Sequence, residues 1–182
     1  MVDELDNARL SQQQRSPMMT FIPRAALAVT LLAMVWPAAA EDAMVTSVKR
    51  MSLETATAVA QAAIAACREK GVQAGVTVVD RDGIPQVALR DTIAPTITLP
   101  ISKGKAYAAV MFSVPTSQLA ERANTPVGRT EGVVMSTGGL PIQVAGTMLG
   151  AVGVSGAPSG ETDAECAQAG IDAVLIDLEM SM

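Results

Sequence analysis

The chain has 182 residues, enough for one domain with a real core, and it is 49% hydrophobic but only 2% aromatic, so that core is built from Ala, Val, Ile, Leu and Met. A formal charge of −5 argues against a phosphate-backbone partner, and Tyr107 and Phe112 are the only aromatic residues beyond residue 40, too few to stack single-stranded nucleic acid. The absence of histidine excludes Ser-His-Asp and Cys-His catalysis and removes the commonest metal ligand.

Residues 1–40 combine a polar extension with the order expected of a secretory signal: Arg24, the apolar run 25–36, then Ala38, Ala39 and Ala40 before Glu41. Either translation starts at Met18 or Met19 or the signal region is unusually long, and both leave the same mature domain, residues 41–182. The apolar run is shorter than the roughly 20 residues a spanning helix needs, so the expectation is a periplasmic or secreted protein with no stable membrane span after cleavage.

From Ser52, a helix cap, residues Ala56, Val59, Ala60, Ala63, Ile64 and Cys67 recur at helical spacing until Gly71. Residues 75–80 read as a strand, Arg81, Asp82 and Gly83 as a tight turn, and residues 84–90 as the returning strand. Residues 91–101 hold two prolines and no period, which predicts a surface loop, with a helix over 102–112. Pro115 ends it, and Thr116 is expected to cap a short turn running to Arg122.

Residues 138–156, GGLPIQVAGTMLGAVGVSG, hold six of the 14 glycines and alternate apolar residues about Ala145 and Gly146, the pattern of a second hairpin. Their spacing matches neither a P-loop nor a dinucleotide fingerprint. Glycines inside a strand instead allow a close neighbour, here another strand, another subunit or a flat ligand. A capping box from Thr162 to Glu165 opens a final helix that turns Ala167, Gly170, Ile171, Val174 and Leu178 inward.

The order helix, hairpin, helix, hairpin, helix predicts an α+β domain with an antiparallel sheet, five-stranded if a further strand forms over 132–135. Cys67 and Cys166 meet only if their helices pack antiparallel, and two buried free thiols are expected ahead of a disulfide.

Chemistry-bearing candidates are few. Ser155 lies one place off a nucleophile elbow and has no base, so it reads as a turn or backbone-contact residue. Ser102 and Lys105 match S-x-x-K without its supporting elements, and Lys103 and Lys105 read as solvent-facing or anion-holding groups. Asp80, Asp82 and Asp91 lack the spacing of a calcium loop, and turn chemistry accounts for the first two. No catalytic residue is assigned.

The combination of Val79, Asp80 and Gly83, Arg90, Lys105, Ala106 and Ala109, Pro115 and Thr116, the blocks GGLPI (138–142) and GAVGVSG (150–156), and Asp163 with CAQAG (166–170) resembles the GlcG/HbpS family. That family is also known as DUF336 or the corrinoid-adenosyltransferase C-terminal-like family, and the resemblance covers about residues 52–180. It implies a profilin-like layered fold with five antiparallel strands, assembly of small subunits into homo-oligomers, and binding of haem by some members. With no histidine, a haem iron would fall to Met, Tyr or Cys, and Tyr107, Met111 and Thr116 are the nearest candidates. Arg90, Lys103 and Lys105 suit propionates, and Ser155 completes the candidate binding set. The expected function is an exported, oligomeric, non-enzymatic binder of haem or a related flat ligand. The alternative is a cofactor-free oligomeric scaffold whose glycine hairpin packs between subunits, with an enzyme acting on a small organic acid a more distant reading.

Overall fold

The computed structural model describes residues 44–182, so the expected signal segment lies outside the described residues. Helix α1 (Leu53–Glu69) opens where the Ser52 hydroxyl accepts from the Thr55 amide, and it buries the predicted stripe from Ala56 to Cys67. Strands β1 (Gly75–Asp80) and β2 (Pro85–Arg90) form the first hairpin. Asp80 Oδ1 closes its turn by accepting from the amides of Asp82 and Ile84, each at 2.9 Å, as the turn reading required.

Helix α2 (Thr98–Phe112) begins one turn earlier than the prolines suggested. Pro100 sits in its first turn, where no intrahelical partner exists for the missing amide, so the ring is tolerated. Ser113, at φ 56°, and Pro115 end it, and a 3₁₀ helix follows over Thr116–Arg122. Pro115, not Thr116, holds the cap position of that turn.

Strands β3 (Gly139–Val144) and β4 (Thr147–Ser155) form the second hairpin, reversing at Ala145 (φ 48°) and Gly146 (φ 77°). Two consecutive left-handed residues match the twist of a two-residue hairpin. Helix α3 (Gly160–Met180) is capped by Ser159, whose hydroxyl accepts from the Thr162 amide, so Thr162 lies inside the first turn and is not the cap.

The sheet has four antiparallel strands in the order β2-β1-β4-β3. The fifth strand expected over 132–135 is absent, because the Val134 amide donates to the Gly104 carbonyl of α2 at 3.2 Å and its side chain fills the space above that glycine. Helices α1 and α3 cover one sheet face through Val76, Val78, Val152 and Val154, while α2 covers the other through Val79 and Ala151. Along a strand successive side chains point to opposite faces, and these valines and alanine follow that period. Cys67, near the end of α1, meets Cys166, near the start of α3, in a disulfide with Cα atoms 5.4 Å apart, so the expectation of free thiols is corrected by an antiparallel helix pair. Among the described residues no helix is long and apolar enough to cross a membrane.

Candidate functional site

The residues singled out in the sequence fall on two sides of α2, and the sides differ in kind. On the sheet side the helix lies almost on the strand backbones. A β-carbon on Gly153 would collide with the Ser102 carbonyl and stand 2.6 Å from the Ala106 amide nitrogen, and one on Gly139 would collide with the Lys105 carbonyl. The glycine-rich hairpin therefore makes room for a helix of its own chain. It does not open to another subunit or a flat ligand at those positions.

Lys105 is drawn into this interior. Its Nζ donates to Asp163 Oδ2 at 2.7 Å and to the Val154 carbonyl at 2.9 Å, and the Lys105 and Asp163 side chains are only 4% and 5% exposed. Asp163 Oδ1 also accepts from the Ala157 amide at 3.0 Å, which fixes the link from β4 to α3. Lys105 is thus neither solvent-facing nor free to hold a ligand anion. A buried ion pair of this kind survives only when its remaining donors and acceptors are matched.

Thr116 is also consumed by the fold: its hydroxyl accepts from the Gly139 amide at 2.9 Å and lies 3.3 Å from the Gly139 carbonyl. That double contact pins the start of β3 and leaves Thr116 fully buried, not available as an iron ligand. Ser155 is the last residue of β4 and is buried in register with Gly75.

The open side of α2 is different. Lys103, Tyr107 and Met111 stand four residues apart and so form one stripe. The Tyr107 ring lies over the β1–β2 turn, where a β-carbon on Gly83 would be 2.6 Å from Cδ2, and the Met111 methyl reaches the same point at 3.0 Å. Gly83 is needed there twice, for that approach and for its φ of 79°. Met111 is 42% exposed and the neighbouring Ile84 62%, giving an apolar end to the stripe, while Lys103 is exposed at the other. Arg90 is the register partner of Gly75, whose α2-facing side is occupied by Thr98, so Arg90 stands beside the start of α2 and donates from Nη1 to the Ala94 carbonyl. Of the seven candidates, Arg90, Lys103, Tyr107 and Met111 remain accessible or half-buried around one flank.

Two features were missed in the sequence. Arg68 of α1 forks onto Asp91, donating from Nε and Nη2 at 2.7 Å each, and the guanidinium lowers the Asp91 carboxyl from 3.8 to about 2 against the opposing effect of burial. The same pairing raises Arg68 above its ordinary value. The other is Asp163, which entered the sequence reading only as part of a motif; its pairing with Lys105 joins residues 58 positions apart, which no local pattern announces. Arg50 bridges Asp80 and Asp82, and among the described residues no cluster of three or more Cys, Asp or Glu could hold a metal ion.

A protein-family model described as haem degrading protein HbpS-like matches residues 51–172. Among solved structures, a double mutant of HbpS from Streptomyces reticuli is 35% identical, with a TM-score of 0.69 over 76% of this chain and 97% of that one. Protein ORFY of Klebsiella pneumoniae, described under the family DUF336, is 26% identical with a TM-score of 0.66, covering 71% of this chain and 94% of that one. A complex of PduOC with haem is 25% identical with a TM-score of 0.63, covering 68% and 94%. No curated protein matches the chain.

Proposed function

The chain belongs to the HbpS-like family of haem degrading proteins, and on that premise we propose that it is an exported, homo-oligomeric binder of haem or a related tetrapyrrole, using the open flank of α2 without catalysing a reaction. The observation that carries the proposal is the convergence of Tyr107 and Met111 over Gly83, with cations at Lys103 and Arg90 along the same flank. The donor set fits such a group. A phenol oxygen and a thioether sulfur are both known iron ligand types, exposed Ile84 gives an apolar surface, and the two cations suit carboxylates through charge-assisted hydrogen bonds. When bound, haem supplies an iron centre whose reactivity follows its axial ligand and surroundings. The protein's part is to offer Tyr107 or Met111 to that iron and to orient the macrocycle by its acidic edge.

The flank is open on one side, whereas flat ligands are usually buried over most of their surface. A second copy closing over the first supplies the missing wall, which gives the expected homo-oligomer a role in binding and is compatible with the profilin-like arrangement. Export follows from residues 21–40 and predicts that the mature protein begins at Glu41, a mass readily checked in a periplasmic or culture-medium fraction.

The test is a hemin titration of the protein followed by absorption, paired with a mass measurement in solution. The expected result is a sharpened Soret band that saturates at fixed stoichiometry on an oligomer. A spectrum indistinguishable from free hemin would reject the reading, and a stable oligomer under those conditions would favour the cofactor-free scaffold. A second reading, turnover of haem, is favoured by the description of the family; adding a reductant under air separates the two, since a binder keeps its Soret band and a degrading protein loses it.

A further inference from the structure

We propose that Arg50 is a positioning residue for the open flank of α2: through it the N-terminal arm fixes the β1–β2 turn beneath Tyr107 and Met111 and so tunes that surface for a ligand. The inference rests on the reading of the flank as the ligand surface. Residues 46–50 lie in no helix or strand and are exposed, and three consecutive residues tie this arm to three parts of the fold. Lys49 Nζ donates to the Met182 carbonyl at 2.9 Å, the Arg50 guanidinium forks onto Asp80 and Asp82, and the Met51 carbonyl accepts from Gln86 Nε2 at 3.1 Å. Of the three, only Arg50 reaches the turn itself.

The turn is held from both faces of the sheet. Val79 packs under α2, so Asp80, the next residue of β1, points to the opposite face, where it is buried. Its Oδ1 accepts from the Asp82 and Ile84 amides, its carbonyl accepts from the Gly83 amide at 3.0 Å, and its Oδ2 accepts from Arg50 Nη1. The bonds to backbone close the turn without help from the arm. Arg50 Nη2 goes further, donating to Oδ2 of Asp82, whose side chain is 54% exposed and has no other hydrogen-bond partner among the described residues. The guanidinium therefore joins the buried carboxylate at the root of the turn to the exposed one at its tip. Gly83, the next residue, is the point on which Tyr107 and Met111 converge from the other side. A planar fork with fixed donor directions sets distance as well as charge, which the single point charge of a lysine would not. Without Arg50 the tip is free to shift relative to α2, and a ligand resting on Tyr107 meets a surface that must first be ordered, at a cost in affinity.

The chain has one tyrosine, so a carbon-13 label in the tyrosine ring gives a single signal from the flank. In the full chain, Arg50→Gln is expected to move that signal and Asp82→Ala to move it in the same direction. The double variant moves it no further than Arg50→Gln alone, because the two substitutions break one bridge. Asp82→Ala keeps the contact between Arg50 and Asp80, so an effect it shares with Arg50→Gln is not a failure to fold. Lys49→Gln, which loosens the arm without touching the turn, leaves the signal in place. Hemin affinity, read from the Soret band, falls about fivefold in Arg50→Gln and is unchanged in Lys49→Gln. An unmoved ring signal in Arg50→Gln, an equal shift in Lys49→Gln, additive shifts in the double variant, or equal measurable hemin affinity in wild type and Arg50→Gln would each overturn the proposal. If the wild type takes up no hemin, the ligand reading of the flank fails, and the ring signal still decides whether Arg50 positions it.

Discussion

The two sides of α2 carry similar residue types to opposite ends. Lys105 and Lys103 are two positions apart, yet one is buried in an ion pair with Asp163 and the other is exposed on the flank that meets the β1–β2 turn. Ser102 on the sheet side shares a hydrogen bond with Thr77 at 2.8 Å inside the protein, while Tyr107 on the open side lies over Gly83. The difference shows that a polar group next to the sheet is recruited to hold layers together, whereas the residues on the other side stay accessible. A helix packed at backbone distance leaves no room for a side chain beneath it, which is why glycine stands at positions 139 and 153 of β3 and β4.

Breaking the buried side should have the largest effect. Lys105→Met leaves Asp163 charged and unpaired, and urea unfolding is expected to show a loss of about 3–5 kcal/mol. Adding Asp163→Leu should recover much of that loss, because the cost lies in the stranded charge; a double variant no better than the single one would contradict this. Gly153→Ala is next, since the new methyl meets backbone of α2 and not a side chain able to swing away. Overpacking of this kind costs about 1–3 kcal/mol, and an unchanged denaturation midpoint would mean the layers are less closely set than described.

The Arg68–Asp91 pair sharpens the comparison by pH. Its carboxyl is held at about 2 when folded against 3.8 ordinarily, so its stabilisation is complete above the higher value and is lost as the pH falls through the lower one. Melting temperatures taken from pH 5 downward should therefore fall more steeply in the wild type than in Asp91→Asn across that window. Parallel curves would remove the pair from the stability of the edge. The smallest effects on stability belong to the open flank, where Tyr107→Phe and Lys103→Gln should stay within about 0.5 kcal/mol of wild type.

How much of this was legible in the sequence follows the range of each interaction. Ser52, Gly83 and the Ala145–Gly146 reversal act within a few residues, and the elements they bound were found where the pattern put them. Pro100 misled the reading of α2 because a proline in a first turn and a proline in a loop look alike in sequence. Val133, Val134 and Met135 have strand-like composition, but the Gly104 carbonyl captured the Val134 amide before a sheet edge could. The Cys67–Cys166 link and the Lys105–Asp163 pair depend on the relative direction of helices and on contact across 58 or more positions, which only the assembled layers decide. The three buried members of the candidate set, Lys105, Thr116 and Ser155, were separated from the four on the flank by tertiary structure alone.

The central claim, that the open flank of α2 is the ligand surface, is tested most directly by titrating hemin in parallel into the wild type and a Tyr107→Phe, Met111→Leu double variant and recording the Soret band. The account predicts a saturating, sharpened band in the wild type and its loss or displacement in a double variant that melts at nearly the same temperature. Identical bands and stoichiometry in the two proteins would contradict it.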